Sequence, residues 1–327
     1  MNDDRPGLLG LHHVTAIASD PQANADFYVG VLGLRLVKRS VNQDDPGTYH
    51  LFYADAVGHP GTDLTFFPWP LARRGRAGAG QTVAVALAVP PDSLGYWTRR
   101  LADHGVAHEG TARRLGEEVV TLEDPDGMPV ELVAGPDTGA RALWAPWADG
   151  PVPPEHAVRG LHAVTLLQAA VEPTRTFLVE VLGAREIGEG DGRLRFATGA
   201  GGSGTLLDLV ARAGAGRGQV AAGAIHHVAW RAADADAHRG WWERLRGRGV
   251  PVSSIIDRFW FTSIYFHEPG GALFEIATDG PGFTVDERAE TLGSQLILPP
   301  WLEGRRAEIE RVLPALRLPT AARRAPG

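Results

Sequence analysis

Cysteine is missing from all 327 residues, so disulfides, thiolate metal sites and cysteine nucleophiles are excluded by count. Any metal must therefore be held by His, Asp or Glu. No apolar run approaches the roughly 18 residues of a membrane span, and the opening MNDDRPGLLG carries acid where a signal peptide needs positive charge. The expected location is the cytoplasm. Long basic runs are also missing, and a net charge of -7 argues against nucleic acid or an anionic membrane as partner. A small molecule is the expected ligand, and a homo-oligomer is compatible with the chain.

What is present is globular composition, 44% hydrophobic and 22% charged, in a chain about twice the length of an average domain. It also repeats itself. Setting DPDGMPVELVAG (124–135) on EPGGALFEIATD (268–279) places Glu131 on Glu275, and the same gapless offset of 144 places Trp97 on Trp241 and Arg114 on Arg258. A looser offset of 150 sets GLHHVTAI (10–17) on GLHAVTLL (160–167), with Phe27 on Phe177. Four modules result, about 8–70, 78–136, 158–212 and 222–280.

Each opens with a short alternating strand, continues as a helix and closes with strand-like runs, a βαβββ pattern. In the first module Asp20 is the expected N-cap, Pro21 the first helical residue, Phe27, Val31 and Leu32 the apolar stripe, and Gly33 the stop. One such unit buries too little surface alone, so modules should pair. The expected class is α+β, with the modules paired into two domains built on cup-shaped mixed sheets. Residues 1–143 hold the first two modules, 144–157 a proline-rich linker, and 158–280 the third and fourth. The extension 281–327 is expected to form one amphipathic helix through Leu302, Ile309, Val312, Leu313 and Leu316, ending in a frayed tail.

Departures from the repeat point to chemistry. At the histidine slot of the first strand the modules carry His13, Val83, Ala163 and His227; at the carboxylate slot of the last strand they carry approximately Thr65, Glu131, approximately Asp208, and Glu275. Modules one and four thus offer His13, His227 and Glu275. Two imidazoles and a carboxylate make the facial triad that suits divalent iron and leaves positions open for dioxygen and a deprotonated aromatic diol. Glu131, without histidine partners, reads as a solvated or ion-paired remnant. Ideal strand alternation turns His12 and His226 away from the face that carries His13 and His227; bringing them to it requires a bulge.

The words LHHVT, DDPGTYHLFY, GTDLTFFPWP, DRFWFTSIYFHEPGGALFEIATDGPGF and LPPWLEGRR resemble the vicinal oxygen chelate superfamily. Within it they are similar to the dioxygenases that open hydroquinones and chlorinated hydroquinones. The resemblance implies an Fe(II)-dependent ring-cleaving enzyme, with Mn(II) as an alternative ion, taking O2 and an aromatic diol. It implies His13, His227 and Glu275 as ligands and His12, Thr15, His226, Arg258 and Tyr265 around them. Arg258 has the repeat counterpart Arg114, which leaves a structural role open. The alternatives are a catechol-cleaving extradiol enzyme, which Ala163 disfavours, a glyoxalase-type isomerase or lyase on Zn, Ni or Mn, which Thr65 at the fourth-ligand slot disfavours, and a metal-free binding protein.

Overall fold

The computed structural model describes residues 7–70, 72–135 and 144–319. The expected frayed tail lies largely outside them. Module one comprises β1 (Leu11–Ala18), α1 (Pro21–Ala25), β2 (Arg35–Val41), β3 (Tyr49–Ala54) and β4 (Asp63–Pro68). Module two comprises β5 (Gln81–Val89), α2 (Leu94–Asp103), β6 (Ala112–Arg114), β7 (Glu117–Glu123) and β8 (Pro129–Ala134). Module three runs β9 (Leu161–Gln168), α3 (Glu172–Thr176), β10 (Arg185–Gly190), β11 (Arg193–Ala197) and β12 (Leu206–Ala211). Module four runs β13 (Ile225–Ala232), α4 (Ala235–Gly247), β14 (Ile256–Asp257), β15 (Thr262–His267) and β16 (Leu273–Thr278), and α5 (Arg306–Val312) follows.

The strands form two eight-stranded sheets, ordered β14-β15-β16-β13-β1-β4-β3-β2 and β10-β11-β12-β9-β5-β8-β7-β6. Module one therefore joins module four, and module two joins module three, each through an antiparallel seam (β1·β13 and β5·β9). Both sheets draw on both halves of the chain. Alternation sorts the faces. Val14, Leu64, Phe66, Val228, Trp230, Phe274 and Ile276 enter the main core with the helices, while His13, Thr65, His227 and Glu275 point into the cup of the first sheet.

The shared word GLH has a backbone cause. Gly10 and Gly160 precede their strands at φ +132° and +111°, and a Cβ there would lie 2.6 Å from the Gly204 carbonyl oxygen and 2.8 Å from that of Gly61. Those carbonyls accept from Leu11 N (2.7 Å) and Leu161 N (2.9 Å), so only glycine fits.

Asp20 caps α1 as expected, its Oδ1 accepting from Ala23 N at 2.8 Å, but after one turn the helix widens to a π-helix over Asp26–Val31. The C-terminal helix is shorter than its apolar pattern suggests. A 3-10 turn, Pro300–Arg305, leads into α5, which stops at Val312. Pro314 lacks an N–H and disfavours helical backbone at Leu313, whose ψ is 135°. Leu302, Ile309 and Leu316 are buried, whereas Val312 faces solvent.

Candidate active site

The two histidine pairs sit on β-bulges. Along the β1·β13 seam, Leu11 faces Trp230 and His13 faces Ala229, so His12 is the extra residue of β1. Thr15 faces His227 and Ala16 faces Ile225, so His226 is the extra residue of β13. A bulge breaks strict alternation, and the paired rings come together: His12 Nδ1 lies 2.9 Å from His13 Nδ1, and His226 Nδ1 lies 2.8 Å from His227 Nδ1. The other sheet bulges at Val83 and His162, which corrects the gapless alignment by one residue. Thr165 faces Ala84 as Thr15 faces His227, so Ala84, not Val83, occupies the histidine slot of module two. The carboxylate slots do fall on Thr65, Glu131, Asp208 and Glu275, each opposite a residue of the neighbouring first strand (Thr15, Ala86, Thr165, Ala229).

Three side-chain atoms converge in the first cup. His13 Nε2 and His227 Nε2 are 3.2 Å apart, and Glu275 Oε2 is 3.3 Å from the first and 3.1 Å from the second. All three residues are buried. Ser263 Oγ donates to Glu275 Oε1 at 2.5 Å, while Oε2 receives no hydrogen bond among the described residues. Burial opposes ionisation of Glu275, but the facing His13 and His227 outweigh it and hold the carboxyl well below its usual range.

Tautomers follow from one carbonyl. His12 Nε2 is 3.1 Å from the Thr278 carbonyl oxygen, which only accepts, so that nitrogen carries a proton. Burial, and then the neighbouring His13, push the His12 pKa down to about 3, so its Nδ1 is bare and accepts from His13 Nδ1–H. His13 Nε2 is then left for the triad, as His227 Nε2 is. With both imidazoles deprotonated at Nε2, as metal ligands must be, two lone pairs and a carboxylate oxygen crowded this closely repel unless a cation joins them. Two ligands at right angles on an ion with bonds of about 2.1–2.2 Å stand about 3.0 Å apart, so the donor set fits a facially bound divalent metal.

Thr15, Arg258 and Tyr265 surround this centre. Thr15 Oγ1 bonds Thr65 Oγ1 at 2.7 Å. The Arg258 guanidinium grips Asp44 through two bonds of 3.2 and 2.9 Å and donates to Tyr265 Oη at 3.3 Å. Burial, then Glu275, push the Tyr265 phenol up, so it is a neutral donor. Burial, then His227, push His226 down to about 3. A cavity of about 350 Å³ opens beside the triad, walled by Phe52, Phe67, Trp69 and Trp260 and edged by His50, His226, Arg258 and Tyr265. Sequence reasoning missed Ser263, His50 and the aromatic walls. Alternation held the signal: Ser263 shares a face with Tyr265, and His50 with Phe52, opposite the core face of Tyr49, Leu51 and Tyr53.

The second cup shows what replaces this centre. Glu131 pairs with Arg114 and lies 3.7 Å from Arg193; Asp208 takes both Arg195 Nε (2.7 Å) and Nη2 (2.9 Å); Glu117 binds Arg195 (2.5 Å) and His162 (3.2 Å). Arg114 neutralises Glu131, whereas its counterpart Arg258 turns to Asp44 and leaves Glu275 free.

Paired βαβββ modules around a buried two-histidine, one-carboxylate cup define a metal-dependent fold class, and the chain belongs to the Glyoxalase/Bleomycin resistance protein/Dioxygenase superfamily, whose model matches residues 10–132 and 160–276. Among its relatives are MhqO and MhqA of Bacillus subtilis (strain 168), each provisionally named a ring-cleaving dioxygenase. Each is 42% identical over 93% of this chain, spanning 96% and 98% of the relative. The chlorohydroquinone/hydroquinone 1,2-dioxygenase of Sphingobium indicum is 34% identical over 93% of this chain and 95% of its own length. A crystal structure of a provisionally named Bacillus subtilis dioxygenase superimposes with a TM-score of 0.88 at 40% identity, covering 96% of this chain and 99% of that one. Maize glyoxalase I shares the fold at a TM-score of 0.59 and 16% identity, covering 83% of this chain and 92% of that one. Among the described residues no helix is long and apolar enough to cross a membrane.

Proposed function

We propose that this protein is an Fe(II)-dependent dioxygenase that opens the ring of a hydroquinone-type aromatic diol and places both atoms of O2 in the product. The observation that carries the reading is the meeting of His13 Nε2, His227 Nε2 and Glu275 Oε2 within 3.1–3.3 Å on the wall of an aromatic-lined cavity. Ring-cleaving relatives across nearly the whole chain support it. With both oxygen atoms retained and one ring C–C bond broken, no external reductant is needed.

His13, His227 and Glu275 would hold the iron ion, which would supply electron transfer between diol and dioxygen. The protein does the rest. Phe52, Phe67, Trp69 and Trp260 take up the flat ring and exclude water. Arg258 presents a fixed cation that favours an ionised hydroxyl, and neutral Tyr265 offers a hydrogen bond to oxygen. His226, at the cavity edge, is placed to take the phenolic proton and return it. Thr65 stands where a fourth carboxylate ligand would close the site, which leaves room for guests and disfavours the isomerase reading.

Anaerobic loading with Fe(II), followed by oxygen uptake with a panel of hydroquinones and catechols, tests the proposal. Stoichiometric uptake with hydroquinones is expected. No uptake with any aromatic diol at full iron occupancy overturns it.

A further inference from the structure

The wall of the active-site cavity holds a polar group that nothing above uses. His50, on β3, lies two strands away from the strand of His13, in the order β1-β4-β3. Its ring is clamped between Phe52 (centroids 3.8 Å apart) and Phe67 (4.4 Å), and its Nε2 is tied at 3.0 Å to Thr65 Oγ1, itself bonded to Thr15 Oγ1. Among the described residues no hydrogen bond reaches its Nδ1, although the residue lines the cavity. A rigidly held imidazole with one nitrogen open to an otherwise aromatic wall is built to meet a ligand.

The second cup supplies the contrast. Arg195 faces Asp208 there as Phe52 faces Thr65 here, so Arg193, two residues before Arg195, takes the place of His50. Arg193 also bonds a threonine hydroxyl, Thr165 Oγ1, at 2.8 Å, but its guanidinium runs on to the carboxylates Glu131 and Asp208. The shorter imidazole of the first cup stops short and leaves space.

We propose that His50 is the anchor for the diol hydroxyl that does not bind the metal, and so sets the preference for para- over ortho-diols. A para-diol carries its second hydroxyl to the far side of the ring, across the cavity. An ortho-diol presents both hydroxyls to the same ion and leaves His50 without a partner. Burial holds the His50 pKa well below its usual value, so the neutral ring offers a hydrogen bond without a competing charge. This inference rests on the ring-cleavage reading for the metal end of the substrate, and the test separates the two.

Binding of hydroquinone and of phenol to the iron-loaded protein is measured without oxygen, by quenching of Trp69 and Trp260. Phenol keeps the metal-binding hydroxyl and lacks the other, so the affinity ratio reads the distal contact alone. The ratio is expected to be about five- to tenfold in the wild type, to fall to about one in His50→Leu, and to recover partly in His50→Gln. An unchanged ratio in His50→Leu overturns the proposal. Should that variant fail to fold, Thr65→Val, which frees the ring, gives the same reading: a lowered ratio supports the anchor and an unchanged one overturns it. Oxygen uptake by the wild type is recorded in parallel; its absence counts against ring cleavage and leaves the ratio to judge His50.

Discussion

His12 does not line the active-site cavity, yet it sets the state of a residue that does. Its bond to the Thr278 carbonyl fixes the proton on Nε2, which makes Nδ1 an acceptor and turns the His13 lone pair towards Glu275. Such partners hold ring orientation and raise ligand basicity. His12→Phe preserves the packing against Phe261 but removes the acceptor. The expected result is a folded protein with metal affinity lowered about 10- to 100-fold, read by titration with Fe(II) or Co(II). Glu275→Gln keeps the shape and the Ser263 contact but loses the charge, and is expected to abolish stoichiometric binding in the same titration. At this scale the sequence was informative: His13 and His227 stood out because only modules one and four carry histidine at that slot, and Glu275 because it shares module four with His227. Ser263 and His50 did not stand out, because a hydroxyl or imidazole in a strand looks the same whether it faces solvent or a buried carboxylate.

Strands carry a different lesson. The adjacent histidines should face opposite ways by alternation, and the rings meet because each pair contains the extra residue of a bulge. A bulge is a property of two strands in register, so neither strand's sequence displays it alone. The same seam in the other sheet bulges at Val83 and His162, where carboxylates are matched by arginines instead of a metal. Burial would raise the Glu117 pKa, but His162 and Arg195 bring it down to about 2. Because the folded value lies below the unfolded one, this carboxylate stabilises the fold above about pH 4.5, and the benefit vanishes as pH falls towards 2. Glu117 is 29% exposed, so screening reduces the effect to roughly 1–2 kcal/mol. Glu117→Gln is expected to lose that much at pH 7 and progressively less at lower pH, measured by chemical denaturation across the range.

Across the whole molecule, the C-terminal extension closes the working cup. Phe283 and Leu292 pack with Val37, Phe52, Trp260 and Phe261, and the fully buried Lys38 ties the segment down through Asp286 (2.6 Å), Glu287 and the Phe283 carbonyl. Lys38→Met strands two acids against apolar walls and is expected to cost about 3–5 kcal/mol, with K38M/D286N/E287Q recovering much of it in the same melts. Metal stoichiometry belongs to this scale as well. One ion per chain is expected, since the second cup has Ala84 and Ala163 at its histidine slots and arginine on its carboxylates; metal analysis giving two per chain would refute that.

By itself the sequence determined that there are four βαβββ units, which residues fill the carboxylate slots and the histidine slots of modules one, three and four, and that any metal rests on nitrogen and oxygen ligands. Periodicity and residue chemistry are local, so they survive in one dimension. Tertiary structure decided that module one joins module four, that the seam bulges at His12 and His226, and that Arg114 and Arg258 take different partners. Backbone ladders are nearly blind to side chains, so strand partnership and ion pairing are settled only when every segment competes for the same faces in three dimensions.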